Sequence, residues 1–164
     1  MIPTQLIELS QVDSINLSGR GGKERIFSLL LPLWKRSHSP LYDFEIDHEG
    51  KSLKLEIKKQ THEQWFDSGK YYRLSEINRD IIMLFVNHRN GRINMMAAIK
   101  LGNFIDLLLS TPKYQAYGWN EEVISIAADL KQRYPSLQFK AKLRIGNVIK
   151  DHRQHFQLLY ERTS

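Results

Sequence analysis

With 164 residues, 41% of them hydrophobic, the chain is large enough for one globular domain with a buried core. The lack of cysteine excludes disulfide bonds and thiolate zinc sites, and none of the six histidines lies in a metal-binding pattern. The net charge of +6 favours a polyanionic partner, although many soluble proteins are mildly basic for solubility alone.

The apolar segments are short. The longest, IIMLFV and FSLLLPLW, have the length of core segments and do not approach a membrane span. The N-terminal segment lacks the basic and long apolar pattern of a secretory signal. We therefore expect a cytoplasmic protein with no membrane partner.

The first half of the chain predicts one helix and one charged hairpin. A short element leads into a glycine-rich loop at 18–22, and a helix is expected over 23–35 with a kink at Pro32. The charged hairpin follows over about 41–60. A polar loop is then expected over 61–69.

The second half predicts another hairpin and further helices. Asn90-Gly91 is the strongest hairpin signal in the chain and lies between two apolar strands. The other expected elements are helices over 104–109 and 121–134, an alternating strand over 137–145, and a closing helix over 152–162. Helices around a mixed, mainly antiparallel sheet predict an α/β (α+β) fold in a single domain, 1–164.

The charged hairpin has an apolar face that fixes its register. Apolar residues alternate along both halves, and Phe44 and Leu55 belong to the same face. A loop of two or four residues around Gly50 makes the numbers of paired residues add to 99. A three-residue loop would instead place Asp43 opposite Leu55 and mix the two faces.

The register brings two carboxylates together on the polar face. Glu45 faces Lys54 as an ordinary ion pair, but Asp43 faces Glu56, and like charges in that position are destabilising. A divalent cation bound by carboxylate oxygens would neutralise them. Lys58, two residues further along the same face, could orient or deprotonate a water, or stabilise charge on a phosphate. Glu and Lys also occur by chance on solvated hairpin faces, so the opposed aspartate is the informative part.

These residues resemble the PD-(D/E)XK nuclease superfamily, in particular the small type II restriction endonucleases. The similar features are the Gly-Gly-Lys segment at 21–23, the Glu-x-Lys strand at 56–58, Thr61-His62 and the apolar hairpin at 81–101. The proline that precedes the aspartate in the family pattern is absent here, which leaves Glu45 a rival first carboxylate. The resemblance implies a restriction-endonuclease-like core, with the sheet flanked by helices.

The resemblance also implies a cofactor and a reaction. Asp43, Glu56 and the carbonyl of Ile57 would bind Mg²⁺, with Mn²⁺ as a substitute. Lys58 would assist the attacking water, and the product would carry a 5′-phosphate.

Two further residues have implied catalytic roles. Glu24 matches an accessory acidic residue of the family, and a solvated first-turn glutamate favoured by the helix dipole is the alternative. Gln60 could contact the scissile phosphate or a water, and a simple polar strand end is the alternative.

DNA recognition is expected from three segments, at about 61–72, 87–92 and 137–146. Base edges are read by arginine, lysine, asparagine, glutamine and histidine, which these segments supply. The basic residues of the late strand share one face, for which a solvated surface is the alternative. Trp65-Phe66 and Tyr71-Tyr72 are expected to be loop anchors or dimer contacts. The candidate DNA-binding residues are Thr61, His62, Gln64, Asn87, His88, Arg89, Lys140, Lys142 and Arg144.

The leading functional hypothesis is a Mg²⁺-dependent, sequence-specific endonuclease acting on double-stranded DNA. A homodimer is expected because a palindromic duplex and one site per protomer require two-fold symmetry. A Holliday-junction resolvase is an alternative, since such enzymes combine a G-x-x-E helix start, here 21–24, with the same D…E-x-K residues. A basic DNA-binding domain without catalysis is the alternative from another class.

Overall fold

The helices and strands are those of a computed structural model, which describes residues 1–61 and 64–162. The α-helices are α1 (Gly22–Leu30), α2 (Ser68–Ile77), α3 (Leu101–Ser110), α4 (Pro112–Gln115), α5 (Glu121–Arg133) and α6 (Ile145–Asp151). The strands are β1 (Lys35–Arg36), β2 (Phe44–His48), β3 (Lys51–Gln60), β4 (Gln64–Asp67), β5 (Ile82–Arg89), β6 (Arg92–Lys100), β7 (Lys140–Leu143) and β8 (Gln157–Glu161). Short 3₁₀ turns lie at Thr4–Leu6, Leu9–Ser14 and Arg153–His155.

The main sheet has the strand order β1-β2-β3-β5-β6-β8. Its neighbouring strands run antiparallel except for β3 and β5, which are parallel and are connected through β4 and α2. Strands β4 and β7 form a separate antiparallel pair. The expected α+β fold with a mixed, mainly antiparallel sheet is confirmed.

Both faces of the main sheet are buried. The N-terminal turns and α1 cover the face that contains Leu55, Ile57 and Leu84. Helices α2, α3 and α6 cover the other face, where Phe85 packs. A strand buried on both sides has no polar face, which explains the continuous apolar run of β5.

Both hairpins have the expected geometry. Phe44 pairs with Leu55, as predicted, and the two-residue loop contains Glu49 and Gly50 with φ of 51° and 76°. Residues 90 and 91 form the second tight turn, also with positive φ. Such left-handed turns match the twist of antiparallel strands.

Two expectations for the first half were wrong. Helix α1 ends at Leu30 instead of continuing through a kink, because Pro32 disfavours helical backbone at the residue before it, Leu31. The expected loop at 61–69 contains β4 and the start of α2. The side chain of Asp67 caps α2 by accepting a hydrogen bond from the Lys70 N–H at 3.2 Å.

Two further corrections concern the C-terminal part. The strand expected over 137–145 is only Lys140–Leu143, because Ile145 already begins α6. The closing helix was wrong: Gln157–Glu161 is strand β8, which pairs with the otherwise unpaired edge of β6. Tertiary hydrogen bonding thus overrides a local pattern that permits a helix.

Within the described ranges, no helix combines the length and the apolar character needed to cross a bilayer.

Candidate active site

Asp43 is fixed at the start of the charged hairpin by two contacts with the backbone of β3. Its N–H donates to the Leu55 carbonyl at 2.9 Å, which extends the β2–β3 pairing by one residue. Its Oδ2 accepts a hydrogen bond from the Ile57 N–H at 2.9 Å. The carboxylate therefore lies across β3, opposite Glu56.

Lys23 supplies a positive charge from α1. Its Nζ lies 3.1 Å from Asp43 Oδ2, and both side chains keep partial contact with solvent. The Gly-Gly-Lys segment was recognised in the sequence, but no role was expected for Lys23. Only the packing of α1 beside β2 brings it to the carboxylate.

The carboxyls of Glu56 and Asp43 shift each other's pKa in opposite directions. Burial, a hydrogen bond to Asp43 and the charge of Asp43 raise the pKa of Glu56, which is only 7% exposed, to about 7. Burial acts to raise the pKa of Asp43 as well, but hydrogen bonds from Glu56, the Ile57 N–H and Lys23 outweigh it and lower the pKa. The two carboxyls therefore titrate as a pair and not independently.

Tyr71 lies beneath this pair. It belongs to α2, is 4% exposed, and interacts electrostatically with Glu56 and Asp43. Burial, followed by the charges of Glu56 and Asp43, raises the pKa of Tyr71. The expectation that Tyr71 anchors a loop or a dimer contact was wrong, because α2 carries it into the site.

Lys58 lies on the same face as Glu56, above two aromatic rings. Its Nζ is 5.3 Å from the centroid of Phe66 and 5.9 Å from that of Tyr71, within the range of cation–π contact. Burial and the nearby charges of Lys23 and Lys70 lower the pKa of Lys58. The rings hold the amine in place, and the lowered pKa suits proton transfer.

Glu24 and Glu45 have other partners. Glu24 forms a bidentate ion pair with Arg36, and the hydrogen bond from Arg36 lowers the pKa of Glu24. Its carboxylate still interacts electrostatically with Asp43. Glu45 accepts a hydrogen bond from the Tyr42 hydroxyl at 2.8 Å.

Gln60 has a structural contact. It is 3% exposed, and its Oε1 accepts a hydrogen bond from the Ile145 N–H at 2.7 Å. This contact caps the first turn of α6 and ties that helix to the end of β3. We therefore give Gln60 no catalytic role.

The oxygen donors of this site suit a hard divalent cation. No group of three or more histidine, aspartate or glutamate side chains suitable for a metal occurs in the described part of the chain. Mg²⁺ is commonly bound through one or two carboxylates plus substrate phosphates and waters. The carboxyls of Asp43 and Glu56, together with the carbonyl of Ile57 directly after Glu56 on β3, fit that requirement.

The expected DNA-contacting residues are divided among several places. Thr61 is exposed at the end of β3. His62 lies outside the described residues, and only the backbone of Gln64 is described, in β4. Asn87, His88 and Arg89 lie within β5 and not in a loop.

Burial limits what β5 offers to DNA. Asn87 Nδ2 donates to Asn94 Oδ1 at 3.1 Å. His88 is 8% exposed, and burial lowers its pKa. Arg89 is exposed beside the Asn90-Gly91 turn.

Strand β7 has the basic face that was expected for the late strand. Ala141 and Leu143 are buried, whereas Lys140 is exposed and Lys142 is half-buried. Lys142 Nζ lies 4.7 Å from the ring centroid of Trp65, across the β4–β7 pair. Arg144 is exposed at the start of α6.

No protein-family model matches the chain, and no curated protein matches it. The side chains around Asp43, Glu56 and Lys58 are therefore the basis for assigning its chemistry.

Glu56→Gln should change the pH dependence of stability. The pKa of Glu56 in the folded state lies above its ordinary value of 4.5, so the folded state holds more protons than the unfolded state between about pH 4.5 and 7. The free energy of unfolding of the wild type should therefore fall as pH rises through that window. Glutamine has no carboxyl group to ionise in the folded state. The variant should therefore be more stable than wild type by up to about 3 kcal/mol at about pH 8, with little difference at about pH 4.5. Urea unfolding with EDTA measures the difference in free energy of unfolding between variant and wild type. A difference that does not change with pH would contradict the raised pKa of Glu56.

Proposed function

We propose that the chain is a Mg²⁺-dependent endonuclease that hydrolyses double-stranded DNA at specific sequences, as type II restriction endonucleases of the PD-(D/E)XK superfamily do. The observation that carries this proposal is the opposed Asp43–Glu56 pair, in which Glu56 is buried, with Lys58 on the same face as Glu56. Opposed carboxyls in a buried position are costly unless a cation or proton neutralises them. A catalytic metal site would explain why the fold contains this unfavourable pair of carboxyls.

The proposed reaction distributes its tasks among these residues. Asp43, Glu56 and the Ile57 carbonyl would hold Mg²⁺, which would neutralise charge at the scissile phosphate when bound. The Ile57 N–H keeps the Asp43 carboxylate oriented, and the buried side chain of Tyr71 lies close to Glu56. Lys58 would orient the attacking water or stabilise the phosphate, leaving a 5′-phosphate on the product. Mn²⁺ accepts the same oxygen ligands and should substitute.

Double-stranded DNA and a second copy of the chain are the proposed partners. The positive net charge supports phosphate contacts, and Lys140 presents one such charge on the outer face of β7. One site per protomer cuts one strand, so cutting both strands of a palindrome requires a symmetric dimer.

A structure-selective nuclease such as a Holliday-junction resolvase is the second candidate. Gly21 adopts φ of 79° directly before α1, and Glu24 lies in the first turn of that helix. This is the G-x-x-E helix start that such resolvases share. In this candidate, Glu24 would be the accessory acidic residue, although its carboxylate is paired with Arg36.

A substrate panel separates the candidates. The purified chain is incubated with mixed-sequence linear duplex and with a four-way junction, in Mg²⁺ and in EDTA. Discrete fragments from the linear duplex in Mg²⁺ support the restriction enzyme, and cleavage of the junction alone supports the resolvase. If neither is cut while wild type and Lys58→Ala bind duplex equally, both nuclease proposals fail and a binding domain remains.

A further inference from the structure

Helix α5 has two apolar faces. Ile124, Ala127 and Ala128 form the buried one, and Ala127 lies directly against Gly69 of α2. The residues of the second face are spaced by three, four and four positions, which places them above one another along the helix. We call this second face the α5 stripe, and it consists of Val123, Ile126, Leu130 and Tyr134.

The α5 stripe is open to solvent. Val123 is 59% exposed, Ile126 60% and Tyr134, which ends the helix, 57%, while Leu130 between them is half-buried. Single apolar residues are common on protein surfaces, but a contiguous apolar strip marks an interaction site. A helix that has already packed one apolar face on its own domain can bury a second one only against another molecule.

One edge of the α5 stripe has opposite charges at its two ends. Glu122 lies at the N-terminal end and Arg133 at the C-terminal end, about three helical turns apart and hence on the same side of the helix. Within residues 1–61 and 64–162, neither side chain forms an ion pair. The other acids of α5, Glu121 and Asp129, interact electrostatically with Tyr72 of α2 and therefore lie toward that helix.

This charge pattern fits a second copy of the same helix in antiparallel orientation. A two-fold axis near the middle of α5 brings Glu122 of one copy opposite Arg133 of the other, and the symmetry makes the pair twice. A parallel orientation would instead place Glu122 opposite Glu122, which is unfavourable. In the antiparallel orientation Ile126 lies close to the axis, where it meets the apolar residues of the other stripe.

We propose that the α5 stripe binds the α5 stripe of a second copy of the chain, as an antiparallel helix pair with two-fold symmetry. This pair supplies the symmetric dimer that cutting both strands of a duplex requires. The purpose of the dimer therefore rests on the proposed function, whereas the contacts follow from the residues of α5.

The dimer is expected to be weak. Helix α5 has 13 residues and is about 20 Å long. Standard interfaces bury about 800 Å² on each partner, so a two-helix contact of this length lies at the lower end of interface sizes. We therefore expect self-association that is lost on dilution in the micromolar range.

Sedimentation velocity of the full chain at increasing concentration, without DNA or Mg²⁺, measures this self-association. Ile126→Lys should weaken it about a hundredfold or more, because two like charges then meet near the two-fold axis. Ile77→Lys is the matched control, since Ile77 is also 60% exposed but ends α2, outside the α5 stripe. It should change the dissociation constant less than about twofold.

Charge reversal tests the antiparallel orientation. Glu122→Arg and Arg133→Glu should each weaken self-association about tenfold, since each places like charges opposite one another at both symmetric positions. The double variant restores opposite charges and should return to within about threefold of the wild-type dissociation constant.

Each outcome decides the matter separately from the nuclease test. A wild-type chain that stays monomeric at every concentration overturns the proposal and leaves the α5 stripe to a different partner. Equal weakening by Ile126→Lys and Ile77→Lys, or no recovery in the double charge reversal, overturns it too. A dimer that cuts no DNA in Mg²⁺ refutes the proposed function but not the α5 pair, and a monomer that cuts DNA does the reverse. Circular dichroism melting establishes that each variant is folded.

Discussion

Replacing Lys58 by methionine is expected to lower the rate of DNA cleavage about a thousandfold while the protein stays folded. The amine of Lys58 lies on the same strand face as Glu56, and two aromatic rings fix its position. Methionine keeps the apolar stem against Phe66 and Tyr71 but removes the donor and the charge. Single-turnover cleavage of a duplex at saturating enzyme and Mg²⁺ measures the chemical step.

Lys59→Met is the matched control for this loss. Lys59 is the next residue of β3, lies on the opposite face near Gly22, and loses the same charge. Both variants lose the same non-specific attraction to DNA. Because Lys59 lies away from the candidate active site, Lys59→Met should keep the cleavage rate within a few fold of the wild-type rate. If Lys58→Met and Lys59→Met lose cleavage rate equally, Lys58 has no catalytic role beyond that of an ordinary basic contact to DNA.

Asp43→Asn and Glu56→Gln should each abolish the stabilisation of the fold by Mg²⁺. A ligand that binds only the folded state at about one hundred times its dissociation constant raises the free energy of unfolding by about 2.7 kcal/mol. Wild type should show such a gain in urea unfolding as Mg²⁺ is titrated, and each variant should show almost none. The same variants should lose DNA cleavage, because the remaining carboxylate cannot hold the ion alone.

Glu45→Gln distinguishes the two candidate first carboxylates. Glu45 lies two residues after Asp43 and loses the same charge, but its carboxylate is bonded to the Tyr42 hydroxyl. It should keep the Mg²⁺ response. Loss of the response in Glu45→Gln together with its retention in Asp43→Asn would assign the metal to the other acid.

The local part of the site could be predicted from the sequence. The alternation of apolar residues fixed the register, so that Phe44 paired with Leu55 and Asp43 came opposite Glu56. A one-residue slip would expose the apolar face of the hairpin to solvent, so the apolar pattern strongly favours a single register. The same reasoning placed Ala141 inward and Lys140 outward on the late strand.

The non-local part of the site could not be predicted. Lys23 reaches Asp43 from twenty residues away, and Tyr71 reaches Glu56 only because α2 packs against the sheet. No periodicity encodes such contacts, since they depend on how whole elements dock. The cap of α6 by Gln60, from 85 residues away, is of the same kind. The edge strand β8 was missed because its partner, β6, lies far away in sequence.

Digestion of a phage genome by wild type and by Lys58→Met, followed by sequencing of the fragment ends, tests the central claim most directly. The carboxylate pair and Lys58 predict Mg²⁺-dependent, discrete wild-type fragments with 5′-phosphates and a common sequence at their ends, and an almost intact genome with the variant. Intact DNA with the folded wild-type chain in Mg²⁺, or identical digestion by wild type and Lys58→Met, would contradict it.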